Sequence, residues 1–158
     1  MTGLAEELGR LLREKGLTLG TVESATGGLI SQIITSISGS SDYYRGSIIS
    51  YSNEIKIRLA GVNPDSIGKH GAVSAQVAEE MAAGGRKALE VDVCVADTGI
   101  AGPDGESPEK PVGLFYLGLS FGDNTESRRH VFGRDRTANR QQAAKAALEW
   151  VCERLEKG

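Results

Sequence analysis

The chain has 158 residues, of which 39% are hydrophobic, and 18 basic against 21 acidic residues give a formal net charge of −3. This length suits one domain that buries roughly 70% of its unfolded surface, and the composition excludes disordered, collagen-like and disulfide-rich chains. The small negative charge argues against a general nucleic-acid binder. No stretch approaches the roughly 20 apolar residues of a membrane helix, and the charged amino-terminal segment does not resemble a signal peptide. We therefore expect a cytoplasmic protein without a membrane or nucleic-acid partner.

Helices and strands are predicted to alternate along the chain. Apolar residues at helical spacing, closed by turn residues such as Gly16 and Gly61, mark the helices, whereas Ile, Val and Tyr content marks the strands. The helices are predicted over 2–15, 29–37, 53–61, 75–90 and 135–155, and the strands over 17–23, 43–51, 91–98, 111–123 and 127–133. This order predicts one α/β domain over residues 1–158, with three α/β/α layers around a mixed sheet of about five or six strands.

Smaller features complete this prediction. Asn53 is predicted to cap its short helix and Ser74 the long one after it, while residues 63–71 have turn composition. Cys94 and Cys152 fall in a predicted strand and a predicted helix and form no C-x-x-C pair, so we expect two buried, reduced thiols.

The first candidate for chemistry is the junction between the first strand and the second helix, which contains Ser24, Thr26, Gly27 and Gly28. Backbone N–H groups at the start of a helix have no partner within the helix, and they bind a phosphate or a developing oxyanion well. The alternative is an ordinary helix start whose glycines allow close packing.

The second candidate combines the Gly-Ser-Ser turn at 39–41 with Tyr51 and Lys56. A serine becomes a good nucleophile when a base accepts its proton, and a lysine is such a base where burial and a positive helix end lower its pKa. Lys56 falls in the first turn of a predicted helix, although a surface lysine over its apolar neighbours is the alternative. The residues alone leave four serines open as the nucleophile: Ser24, Ser40, Ser41 and Ser52.

The third candidate is the loop at 98–105, which leaves the end of a predicted buried strand. Its candidate binding residues are Thr98, Gly99 and Gly102. Ligands bind at this position in open α/β sheets. Arg136, at the start of the last helix, is a candidate clamp for a phosphate or carboxylate. A packed structural turn and a surface ion pair are the alternatives. Dinucleotide, nucleoside triphosphate, zinc-protease and calcium motifs are absent from the sequence, so we expect no cofactor and no metal.

Several segments together resemble one known family. They are ESATGGL at 23–29, GSSDYYRGSIISYSNEIKIRLAGV at 39–62, HGAVS at 70–74, TGIAGPDG at 98–105, EKPVG at 109–113 and FGRDRTANR at 132–140. In this order and at this spacing they are similar to the CinA C-terminal domain family, the nicotinamide mononucleotide deamidases, over nearly the whole chain.

The resemblance implies hydrolysis of the carboxamide of nicotinamide mononucleotide to nicotinate mononucleotide and ammonia, without a cofactor. It implies Ser41 as the nucleophile, Lys56 as the base and Tyr51 as a relay or orienting group. The implied substrate-binding residues are Ser24, Thr26, Gly27, Gly28, Thr98, Gly99, Gly102 and Arg136. Larger members of the family carry another domain, so the resemblance implies a stand-alone deamidase here. We also expect a homo-oligomer, with a dimer as the first guess.

Two positions depart from the family pattern. Ala25 stands where the family usually has Cys, and Asp97 stands where it commonly has a small or apolar residue. A carboxylate at position 97 is expected either to repel the substrate phosphate or to pair with Arg136 or Lys56. Two alternatives therefore remain at this point: a catalytically silent nucleotide-binding module, and an amidase for another small amide.

Overall fold

The structure, a computed structural model, describes all residues from 1 to 158. The helices are α1 (Thr2–Lys15), α2 (Leu29–Thr35), α3 (Asn53–Ala60), α4 (Pro64–His70), α5 (Ala75–Leu89) and α6 (Arg136–Glu156). The strands are β1 (Leu19–Glu23), β2 (Tyr44–Ile49), β3 (Val93–Gly99), β4 (Leu114–Phe121) and β5 (Asn124–Val131), and a short 3-10 helix spans Ser40–Asp42. None of the helices combines the length and the apolar character needed to cross a membrane.

The five strands form one mixed sheet in the order β2-β1-β3-β4-β5. In the parallel part of the sheet, β1 lies between β2 and β3 and runs parallel to both. β4 runs antiparallel to β3 and β5. The carboxyl ends of β1, β2 and β3 therefore lie at one edge of the sheet. Chain segments that follow these three strands meet at that edge.

Helices cover both faces of the sheet, as the sequence predicts. On one face, α1, α2 and α6 enclose a large apolar core with Leu19, Val95 and Leu117 from the sheet. On the other face, α3 and α5 pack over Val22 and Cys94 in a second core. The prediction of a three-layer α/β/α domain with a five- or six-stranded mixed sheet is confirmed, with five strands.

Most predicted boundaries are close to the observed ones, and the capping residues explain why. Gly16 closes α1 with a left-handed φ of 65°, a conformation that glycine adopts without strain. Ser74 caps α5 by accepting a hydrogen bond from the Val77 amide. Cys94 and Cys152 are buried and free, as predicted.

Two local predictions are wrong. Residues 63–71 do not form only a turn, because they contain α4, which starts with Pro64 behind the capping side chain of Asn63. A proline fits the first helical position, since its missing N–H would have no partner there. Asn53 does not cap α3 either, since the side chain of Ser52 accepts the hydrogen bond from the Ile55 amide.

Two glycines set the distance between α5 and its neighbours. A Cβ on Gly84 would lie 1.7 Å from the carbonyl oxygen of Ala60 in α3, and a Cβ on Gly85 would lie 2.1 Å from a methyl group of Val22 in β1. Glycine in a helix costs about 1 kcal/mol relative to alanine. Here it allows α3, and with it Lys56, to pack closely on α5.

Candidate active site

Three parallel strands bring the candidate residues to the same edge of the sheet. Ser24 follows β1 directly, Lys56 lies on α3 after β2, and Thr98 is close to the end of β3. β1 is buried along its whole length, and Ser24 itself is only 7% exposed. The edge therefore presents a shielded serine, in the position where open α/β sheets bind ligands.

Lys56 is the side chain that contacts Ser24. It is 2% exposed, and its Nζ lies 2.9 Å from Ser24 Oγ, 2.9 Å from the Ser50 carbonyl oxygen and 3.3 Å from the Tyr51 carbonyl oxygen. Carbonyl oxygens only accept hydrogen bonds, so each uses one N–H of the amine. When Lys56 is uncharged, its lone pair is left facing the Ser24 hydroxyl, which can then donate its proton.

Burial favours this uncharged form. Desolvation lowers the pKa of Lys56 below its usual value, and the negative charge of Asp97 opposes the shift. None of the ion pairs in the chain includes Lys56. The site therefore contains a lysine that loses its proton more easily than one in water, which is what a general base requires.

Asp97 lies beneath the serine loop and is completely buried. One carboxylate oxygen accepts from the Ser24 amide at 3.1 Å, and the other accepts from the Thr26 amide at 3.1 Å. The pKa of Asp97 is raised to about 6, chiefly by burial. The hydrogen bond from the Thr26 hydroxyl opposes this rise, and the charge of Glu23 adds to it. Asp97 therefore binds the amides of the loop. It does not pair with Arg136, which was one of the expectations from the sequence.

The side chain of Glu23 binds backbone amides at the start of α2. Its carboxylate accepts from the amides of Gly28, Ile30 and Ser31 at distances of 3.1, 2.9 and 2.9 Å. The Thr26 hydroxyl oxygen also lies 2.8 Å from one oxygen of this carboxylate. The Gly28 amide, which the sequence suggested for a substrate phosphate or oxyanion, is thus already bound to an internal carboxylate.

The expected substrate-binding role of three loop residues does not fit this arrangement. Thr26 is fully buried, Gly27 donates its amide to the Ser24 carbonyl, and Gly28 donates to Glu23. None of the three lines the cavity beside Ser24. They shape the loop that carries the serine.

A cavity of about 310 Å³ opens beside Ser24 and Lys56. The other predicted site residues that line it are Tyr51, Thr98, Gly99, Gly102 and Arg136. Ala25, Asn53 and Asp104 also line it, although the sequence did not single them out as binding residues. The cavity therefore contains both basic and acidic groups around a serine and a lysine.

Three of these residues have partners that define their roles. The Thr98 hydroxyl donates to the Ala72 carbonyl at 2.8 Å, which fixes the loop. Arg136 donates to the Gly102 carbonyl at 2.9 Å and to the Tyr51 hydroxyl at 3.3 Å. The hydroxyl of Tyr51 is thus bonded to Arg136, and it is the backbone carbonyl of Tyr51 that contacts Lys56.

Of the four candidate serines, Ser24 is the one that contacts Lys56. Ser41 is exposed in the 3-10 helix, where its carbonyl oxygen accepts a hydrogen bond from Arg45. It precedes β2 whereas Lys56 follows β2, so the length of the strand separates them. The expected Ser41–Lys56 pair is therefore not formed. Ser52 caps α3, and Ser40 does not line the cavity.

A sequence model of the CinA C-terminal domain matches residues 1–155. The chain belongs to the CinA family. It is 49% identical over 142 residues to a CinA-like protein of Salinibacter ruber, covering 90% of this chain and 34% of that protein. It is also 49% identical over 155 residues to a CinA-like protein of Trichormus variabilis, covering 96% of this chain and 37% of that protein. The chain thus spans little more than a third of these curated relatives.

Solved CinA structures share the whole fold. A CinA superfamily protein from Klebsiella pneumoniae matches with a TM-score of 0.96 and 27% identity, covering 99% of this chain and 98% of the other. The competence/damage inducible protein CihA from Agrobacterium tumefaciens matches with a TM-score of 0.94 and 36% identity, covering 98% and 94%. These matches confirm the family resemblance and the fold, and their names state no reaction.

Proposed function

We propose that this CinA domain hydrolyses the carboxamide of nicotinamide mononucleotide to nicotinate mononucleotide and ammonia, with Ser24 as the nucleophile and Lys56 as the base. The observation that carries the proposal is the 2.9 Å contact between Lys56 Nζ and Ser24 Oγ inside a cavity. The resemblance in sequence supports the choice of substrate, and the geometry supports the choice of the two reacting side chains. Ser24 replaces Ser41 as the proposed nucleophile.

In the first step, Ser24 Oγ bonds to the carboxamide carbon while its proton passes to the amine of Lys56. The electron pair of the C=O bond moves onto the oxygen. When the carbonyl re-forms, the C–N bond breaks, and the departing nitrogen takes the proton back from Lys56 and leaves as ammonia. Lys56 therefore acts first as base and then as acid, as amide hydrolysis requires.

In the second step, water gives a proton to Lys56 and attacks the ester on Ser24. The C–O bond to Ser24 breaks, the proton returns to Ser24 Oγ, and the nicotinate product leaves. The two steps together consume one water and release one ammonia, and the enzyme regains its initial protonation state. Ser50 and Tyr51 hold the lysine in place throughout, through their carbonyl oxygens.

The backbone beside Ser24 offers a donor for the oxyanion. The amides on either side of Ala25, those of Ser24 and Thr26, are bonded to Asp97, and the Gly27 amide is bonded to the Ser24 carbonyl. Ala25 lines the cavity, and its amide makes no hydrogen bond within the chain. We propose that this N–H stabilises the oxyanion, as the amide after a nucleophile does in other hydrolases with a strand–turn–helix serine.

Arg136 is the group proposed to bind the phosphate. Its guanidinium has five N–H donors, and the structure assigns one on each terminal nitrogen to the Gly102 carbonyl and the Tyr51 hydroxyl. The remaining donors are available at the cavity wall. Charge-assisted hydrogen bonds from a fixed guanidinium are a strong way to orient a phosphate. Tyr51 is proposed to orient this guanidinium rather than to relay a proton.

The test is ammonia release from nicotinamide mononucleotide, with nicotinate mononucleotide identified as the second product. Ser24→Ala, purified in the same way, serves as the blank for a contaminating host amidase. We expect release by the unmodified chain and none above background by the variant. Equal release by both preparations, or none from the unmodified folded chain, would contradict the proposal. A panel of nicotinamide, its riboside and the mononucleotide then measures how much the phosphate contributes.

A further inference from the structure

Asp97 is a fully buried carboxylate that forms no ion pair in the chain. It lies near the carboxyl end of β3, whose other residues are apolar or small apart from Thr98. Burying an unpaired carboxylate is costly unless hydrogen bonds compensate. Its contacts therefore indicate what it does for the fold and the site.

These contacts all go to the loop that carries the serine. Oδ1 accepts from the Ser24 amide and from the Thr26 hydroxyl, and Oδ2 accepts from the Thr26 amide. The carboxylate thus holds the residue on each side of Ala25. It fixes the direction in which Ser24 leaves β1 and the orientation of the proposed oxyanion donor.

The charge of Asp97 also acts on Lys56. Among the charged groups, Asp97 is the one that raises the pKa of Lys56 against the effect of burial. Glu23, at the end of β1, acts on Asp97 in turn. The other ionisable side chains at the cavity wall are Tyr51, Asp104 and Arg136.

We propose that Asp97 is a positioning residue of the hydrolase site: its carboxylate holds the loop that directs Ser24 toward Lys56, and its charge acts on the Lys56 amine. This inference rests on the proposed function. The chemistry itself stays with Ser24 and Lys56, because Asp97 is bonded to the loop and does not line the cavity. Asp97 thereby couples the geometry of the nucleophile to the protonation of its base.

The direction in which the pKa of Lys56 should move when Asp97 loses its charge can be worked out. An ionised carboxylate favours the ammonium form of a nearby lysine, so its removal lowers the pKa of the lysine further. In Asp97→Asn the side-chain oxygen still accepts from the Ser24 amide, but the Thr26 amide loses its acceptor. We expect a roughly tenfold lower maximal rate from the looser loop and an acid limb of kcat/KM that moves to lower pH by about one unit.

Asp92 provides a matched control. It lies just before the opposite end of β3, and its carboxylate also accepts from a backbone amide and a threonine hydroxyl, both of Thr18, at 2.9 and 3.0 Å. Asp92→Asn therefore removes one carboxylate charge near the end of β3 that lies opposite to Ser24 and Lys56. We expect its pH profile to match that of the unmodified chain.

The test has two readouts. The pH profile of kcat/KM with nicotinamide mononucleotide reports the catalytic base, and nitrogen NMR of labelled lysine reports the Lys56 titration directly, without substrate. The Lys56 signal is assigned by its absence in Lys56→Met. We expect both midpoints to move down in Asp97→Asn and in Asp97→Ala, and neither to move in Asp92→Asn. The alanine variant supplies the answer if the asparagine variant does not fold.

An unchanged Lys56 midpoint in a folded Asp97 variant would overturn the proposal, as would an equal shift in Asp92→Asn. Failure of the proposed function looks different, because the unmodified chain would then release no ammonia while the NMR titration would still report the coupling. A lower maximal rate without any shift in either midpoint would reduce Asp97 to a structural role and contradict the inference.

Discussion

Two turns of similar composition lie at opposite edges of the sheet. The first, residues 23–28, begins with the last residue of β1, and the second, residues 39–42, precedes β2. Both contain serine, glycine and an acidic residue, but Lys56 Nζ contacts Ser24 in the first and no serine in the second. The composition of a turn therefore does not decide whether its serine can react.

The surroundings explain the difference. The first turn is backed by two buried carboxylates, Glu23 and Asp97, which bind its amides and hold its shape. In the second turn Ser41 is exposed, and its neighbour Asp42 pairs with Arg13 on the surface at 3.4 Å. A nucleophile needs a fixed geometry and a shielded base, and only the edge beyond β1 and β3 supplies both.

The largest expected effect is that of Lys56→Met, which keeps the length and removes the base. We expect kcat to fall by about 10³ or more, in line with the loss of a general base. Lys69→Met is the control, because Lys69 is exposed on α4. Steady-state ammonia release measures both. If Lys56→Met retained more than a tenth of the activity, the base would have to lie elsewhere.

The pH dependence of kcat/KM tests whether the buried lysine beside Ser24 is the base. Burial lowers the pKa of Lys56 below its usual value, and the free amine is the active form. Below that pKa the free-amine fraction falls tenfold for each pH unit, so log kcat/KM should rise with pH at a slope of about one and level off below the usual lysine pKa of about 10.4. A profile that still rises through the usual lysine pKa, or that falls as the pH rises, would contradict the proposed role of Lys56.

Gly84→Ala tests whether the docking of α3 on α5 supports the site. The added Cβ would lie 1.7 Å from the Ala60 carbonyl oxygen at the end of α3, and such overpacking costs about 1–3 kcal/mol. We expect urea unfolding to show that loss in the free energy of unfolding, together with reduced ammonia release. Gly68→Ala, where nothing lies within 4 Å, should leave stability unchanged or raise it by up to about 1 kcal/mol. Equal effects of the two changes would refute the close-packing explanation.

Arg136→Ala should have the smallest effect of this series. We expect KM for nicotinamide mononucleotide to rise about tenfold through loss of charged hydrogen bonds, with a smaller change in kcat. Arg134→Ala is matched in charge and also exposed, but Arg134 does not line the cavity beside Ser24. Its KM should stay within about twofold of the unmodified value. A similar rise for both variants would indicate a general electrostatic effect instead.

The fold was largely predictable because it depends on patterns that the sequence displays directly. Apolar spacing located α1 and α5, and Gly16 and Ser74 marked their ends with ordinary capping chemistry. The helix at 64–70 was missed because Pro64 and Asn63, which start α4, are also common in turns. Such ambiguity is local and did not alter the layers.

The site was predictable only in part. Ser24, Thr98 and Gly102, which were predicted to lie at the ends of strands, line one cavity, but the choice of Ser41 does not take account of which end of β2 it occupies. Polar residues inside otherwise buried strands, Glu23 and Asp97, were the signal that the loop amides already had acceptors. Their pairing with particular amides depends on tertiary distances that no local pattern contains.

The most direct test of the central claim compares Ser24→Ala with Ser41→Ala in one assay. Both variants lose a hydroxyl from a serine in a similar turn, and both are checked for folding before ammonia release from nicotinamide mononucleotide is measured. The account predicts a loss of about 10³ or more for Ser24→Ala and a change within about twofold for Ser41→Ala. Retained activity in Ser24→Ala, or its loss in a folded Ser41→Ala, would contradict the assignment of the chemistry to Ser24 and Lys56.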